Sequence, residues 1–248
     1  MPAARLLRLF QPDRETLAEI WGAMKSTEGQ VLICGICIFA LRPTLLRSDM
    51  VTGWLEAIDP LLGNRELRMR LMNIVVYALL PMALVRFVHR KSLLRDFGLQ
   101  LPALRWLVFC LAYLLVVHPI NWLYATDPEL LARVPFYRPA AAGGAVFWWY
   151  QGLVALAMVG WEFILRGYLL LGLRRRFGAW SILIPMFPFV ILHYSYGPME
   201  LWASILDGLF LGALAYASRS IWPPVLVHIL QNLLWEVEVV YWFNPPAG

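Results

Sequence analysis

Six residues in the C-terminal third of this 248-residue chain have the types and spacing of a reaction centre. Glu162 and Arg166 lie in GWEFILRGYLL, Phe189 and His193 in FPFVILHYSYG, and His228 and Asn232 in PPVLVHILQNLLW. Each pair is spaced i, i+4, which on a helix places both side chains on one face, a turn apart. The residues around them are apolar, and an ionisable group among such residues is costly unless it is paired or faces a wet cavity. Three pairs of this kind point to one shared site.

The residues alone leave the chemistry open. Glu162 before Arg166 is the order that best suits a helical ion pair, in which each charge offsets part of the other's desolvation, so the two could be a structural clamp. Glu162 could equally take a proton from water as a general base. His193, just before the glycine and proline that end its helix, could be a hydrogen-bonded core residue or a catalyst. His228 and Asn232 follow Pro223 and Pro224, which are well placed to start a helix, and both then point the same way. Two histidines and a glutamate could in principle hold zinc. His89 and His118 lie near predicted membrane borders and look incidental. Cys34 and Cys37 form a C-x-x-C inside an apolar run, which reads as packing rather than metal or redox chemistry, and Cys110 is similarly placed.

The elements that must position these groups are membrane helices. The chain is 60% hydrophobic and only 15% charged, with 12 Trp, whereas soluble domains carry about 25% charged residues. The reading is an all-α fold, a polytopic transmembrane helical bundle of about seven spans, each approaching the roughly 20 residues that cross a bilayer. The candidate spans are 31–46, 71–88, 106–124, 145–173, 180–193, 201–217 and 225–243. The fourth could continue as far as Arg174. With a cytoplasmic N-terminus, most of the 21 Lys and Arg fall on the inner side, which favours N-in, C-out by the positive-inside rule. That bias explains the net charge of +5 without a nucleic-acid partner.

Residues 1–30, mixed and basic and without the pattern of a secretory signal peptide, read as a cytoplasmic N-terminal segment. Residues 31–248 read as one membrane-embedded helical domain, with a catalytic core at about 145–243. RKSLLRDFGLQL (90–101) interleaves apolar and basic residues along the cytoplasmic surface. Residues 126–144, with Pro135, Pro139 and two glycines, form an irregular outer loop.

The order E-x-x-x-R, F-x-x-x-H, H-x-x-x-N, each on its own membrane helix, resembles the CPBP family of intramembrane proteases. That family includes the type II CAAX prenyl endopeptidases and the bacterial Abi proteins linked to bacteriocin self-immunity. The resemblance covers about 148–242 and takes in RGYLL and SRSIWPPVLVHILQN; the first half is alike chiefly in RDFGL. It implies that Glu162 and His193 activate a water that attacks a peptide carbonyl, that His228 and Asn232 stabilise the oxyanion, and that Arg166 and Phe189 support the site. It also implies a glutamate mechanism without a metal or other cofactor, a membrane-associated protein or peptide substrate, and an integral protein of a bacterial inner membrane.

One position departs from the pattern. The usual first motif is E-E-x-x-x-R, and here Trp161 stands where its first glutamate would be, while Glu162 matches the second. One step along a helix turns the side chain by about 100°, so Glu162 is not a simple replacement. Two readings from different classes follow. One is an active intramembrane endopeptidase; the other is a catalytically inactive membrane scaffold or immunity protein. A transporter using the buried charges as a proton relay lacks the internal repeat that such folds carry.

Overall fold

The computed structural model describes residues 14–124, 126–194 and 197–244, and their regular elements are all helical. Residues 1–13 of the expected cytoplasmic segment lie outside the described residues. From there α1 (Arg14–Lys25) buries no side chain. Ser26 then caps α2 (Thr27–Arg47), accepting a hydrogen bond from the Gly29 amide, which satisfies one of the orphan donors of a helix start. Ser48 caps α3 (Asp49–Ile58) in the same way. Asn64 accepts from the Glu66 and Leu67 amides at the head of α4 (Arg65–Val88). The remaining helices are α5 (Leu104–Tyr124), α6 (residues 144–177), α7 (Leu183–His193), α8 (Pro198–Ser218) and α9 (residues 222–243).

Five helical runs are long and apolar enough to cross a membrane: Thr27–Arg47, Arg65–Val88, Leu104–Leu123, Gly144–His193 and Pro198–Ser218. The chain is an integral membrane protein. The difference from seven expected spans has a physical origin. The 50-residue run Gly144–His193 turns at Gly178, where φ is 54°, a left-handed conformation natural to glycine. Helix α7 then packs back on the 163–171 part of α6, so this run holds two of the expected segments. Helix α9 is not among the five; its face carries His228, Asn232 and Glu236.

The core is built around α6, which packs on α2, α4, α7, α8 and α9. Every residue from Phe163 to Leu171 is buried. By contrast, Ile36 of α2 and Val108, Leu115 and Leu123 of α5 are exposed, as suits apolar side chains that face lipid. Gly160 lets α6 and α4 touch backbone to backbone. A Cβ at that position would stand 2.3 Å from the Asn73 carbonyl oxygen.

The basic 90–101 segment forms turns docked on the bundle. The Ile221 amide donates to the Gly98 carbonyl at 2.9 Å, the Ser220 hydroxyl to the Gln100 carbonyl at 2.7 Å, and the Trp222 indole to the Leu99 carbonyl at 3.0 Å. Nor is His89 incidental. Its ring bridges Gln30 of α2 and Tyr168 of α6, at 3.1 and 2.8 Å, and stacks on Phe97.

Candidate active site

Helix α6 changes from α to π winding immediately after Glu162, over Phe163–Leu171. Such wide turns recur at functional sites because they re-aim side chains. Here neighbouring positions serve different partners. Glu162 is wholly buried, and its Oε1 accepts from His228 Nδ1 at 2.7 Å and from Arg166 Nη1 at 3.2 Å. Trp161 instead faces His193, with ring centroids 6.4 Å apart, and Tyr77 at 5.8 Å.

Phe189 joins the two histidines. Its ring centroid lies 4.5 Å from that of His193 and 6.4 Å from that of His228, and the Arg166 guanidinium sits over it at 4.6 Å. The F-x-x-x-H spacing thus places an aromatic wall, not a spacer, between the charges. Both imidazoles lie in the bundle interior on one side of α6, contributed by α7 and α9.

The hydrogen bonds fix how each imidazole is presented. His193 Nδ1 donates to the Phe189 carbonyl at 2.8 Å. A carbonyl only accepts, so Nδ1 carries a proton and Nε2 is the basic nitrogen of the neutral ring. The same logic applies to His228, whose Nδ1 is held by a carboxylate. Asn232 donates through Nδ2 to the His228 carbonyl at 2.8 Å, which leaves its side-chain oxygen and second N–H for other partners. The side chains of His193 and His228 are 15% and 14% exposed, while that of Glu162 is 0%. A ligand can therefore reach the imidazoles but not the carboxylate.

Helix lengths create a recess. The end of α7 is level with Trp161, about 25 Å along α6 from Gly144 at 1.5 Å per residue. Helices α6 and α9 continue beyond that level; α7 and α8 do not. Between the continuing helices is a cavity of about 230 Å³ lined by Trp148, Gln151, Val154, Ile229 and Leu233. It is apolar apart from Gln151, as suits a small ligand site.

Among the described residues no three His, Cys, Asp or Glu side chains are grouped to hold one ion. The zinc alternative also meets a chemical obstacle, because Glu162 Oε1 is committed to two N–H donors.

Three carboxylates near the site were not singled out in the sequence. Glu200, in the first turn of α8, stands 3.9 Å from His193 Nε2 through its Oε1. Asp207, a further two turns along α8, accepts from the Tyr113 hydroxyl. Glu236 accepts from Gln151 Nε2 at 2.6 Å. Only Glu236 had a sequence signal, since it extends the i, i+4 series of His228 and Asn232.

No curated protein and no solved structure matches the chain. Residues 143–234 match the family model described as type II CAAX prenyl endopeptidase, Rce1-like. The match spans α6, α7, α8 and most of α9, the helices that carry the three motifs. The helices that bear Glu162, His193, His228 and Asn232 are thus similar to the core of the type II CAAX prenyl endopeptidases of the Rce1-like model.

Proposed function

We propose that the chain is an intramembrane endopeptidase that hydrolyses a peptide bond of a membrane-associated protein. Glu162, His193, His228 and Asn232 form the site, supported by Arg166 and Phe189. His193 Nε2 takes a proton from the water that attacks the carbonyl carbon. Asn232, through its amide, and His228, whose Nε2 donates when its ring carries both protons beside Glu162, face the oxygen that becomes negative, where preorganised donors are worth several kcal/mol. Glu162 works through His228, fixing the imidazole by Nδ1 as the carboxylate of a catalytic triad does. The proposed location is a bacterial inner membrane, by resemblance to the bacterial members of the family.

The observation that carries this reading is the gathering of two partly accessible imidazoles and a buried carboxylate around the single ring of Phe189. A structural clamp accounts for Glu162 with Arg166. It does not account for His228 on the same oxygen, or for Glu162 Oε2 and Trp161 Nε1, both buried with no hydrogen-bond partner among the described residues. Each such atom costs about 1–3 kcal/mol, a cost with no return in a purely structural clamp.

One observation favours the inactive scaffold as a second reading. The indole of Trp161 fills the place facing His193 where the family pattern has a carboxylate. Comparison of membrane-protein termini between cells expressing wild type and His193→Ala separates the two. The endopeptidase produces new termini that disappear in the variant, whereas identical sets of termini at equal membrane levels would favour the scaffold.

A further inference from the structure

We propose that Glu200 is the carboxylate partner of His193 in activating water, taking over the function of the glutamate that Trp161 replaces. This rests on the endopeptidase reading above. With Glu162 enclosed and bound to His228 and Arg166, the approach to His193 from α6 is closed by an indole. Glu200 comes from another helix, in the first turn of α8. Its side chain is 32% exposed, so it can meet solvent and substrate.

The geometry between the two groups suits a shared water. Nδ1 of His193 is the protonated nitrogen, so Nε2 presents a lone pair, and the carboxylate also only accepts. Two acceptors cannot bond each other, and their 3.9 Å separation exceeds a direct hydrogen bond. A single water donating one O–H to each, with bonds of about 2.8 Å, would hold its two acceptors about 4.4 Å apart. The observed separation is close to that value. A carboxylate in the first turn also complements the helix dipole, which explains its place on α8 but not its facing His193.

In the step proposed, the water oxygen bonds to the carbonyl carbon as one of its protons passes to His193 Nε2. Glu200 holds the second O–H and aligns the attack. Collapse of the tetrahedral intermediate breaks the C–N bond, and the proton on Nε2 moves to the leaving amine. The products are one carboxylic acid and one amine, with no net proton taken up by the site.

The test uses the full chain in lipid vesicles and a peptide spanning a cleavage site found from the terminus comparison. Glu200→Gln should lower kcat by about 100-fold, as misplacement of the attacking group does, with KM within about threefold of wild type and an unchanged unfolding temperature. Glu200→Asp, which keeps the charge, should fall between wild type and Glu200→Gln. Glu200→Gln within about threefold of wild type, with His193→Ala inactive, would overturn the role of Glu200 and leave the endopeptidase standing. Should Glu200→Gln fail to fold, a folded Glu200→Ala with kcat within about threefold of wild type overturns it equally. If wild type and His193→Ala give the same termini, both proposals fall.

Discussion

Glu162 places two N–H partners on one carboxylate oxygen, and this makes its substitution informative only alongside that of Arg166. Arg166 is 2% exposed, so Glu162→Gln leaves its guanidinium buried without a counter-charge, at a cost of about 3–5 kcal/mol. Glu162→Gln/Arg166→Met removes both charges and should recover most of that loss, read as the unfolding temperature of the purified protein in detergent. Equal destabilisation in both variants would mean that the ion pair is not what the single change breaks. Cleavage should stay absent in both, because His228 has lost its anchor. The ion pair was legible in the sequence, since i, i+4 spacing dictates it. The bond from Glu162 to His228 was not, because 66 positions separate them and only the packing of α6 on α9 decides which side chains meet. Glu200 was hidden for a different reason: one acidic residue in a helix's first turn is ordinary.

At the scale of elements, α6 is the part on which the others are registered, and Gly160 sets its distance from α4. Gly160→Ala would push a methyl group into the Asn73 backbone carbonyl, which cannot rotate away as a side chain could. The expected cost is about 1–3 kcal/mol, typical of overpacking, with cleavage reduced because Trp161 and Glu162 are the next residues. An unfolding temperature equal to wild type would show that the two helices are not held in contact there. Much of this level could be read from sequence. The segment 145–173 with a continuation to Arg174 matches α6, and Pro223 and Pro224 do begin α9. The π winding could not be read, because it reflects the fit of α6 among five neighbours rather than any local propensity. The docking of segment 90–101 could not be read either, since the carbonyls of Gly98, Leu99 and Gln100 accept from Ile221, Trp222 and Ser220 of the α8–α9 turn, far along the chain.

Taken as a whole, the molecule is apolar both outside and within: apolar residues cover the outside of α2 and α5 and fill most of the core, and a small set of polar ones is buried among them. Trp54, Trp148, Trp149 and Trp242 are exposed near one end of the bundle, and Trp21 and Trp180 near the other, the two levels at which interfacial aromatics settle. The basic loops after α4 and α6 lie at the second end. The central claim is that separate spans deliver Glu162, His193 and His228 to one interior site. Magnetic-resonance distance measurement in bilayers, on protein carrying ¹⁵N-histidine and ¹³C-carboxyl glutamate, tests it directly. The account predicts a contact between the His228 Nδ1 signal and a glutamate carboxyl that vanishes in Glu162→Gln; a His228 signal uncoupled from that carboxyl in the wild type would contradict it.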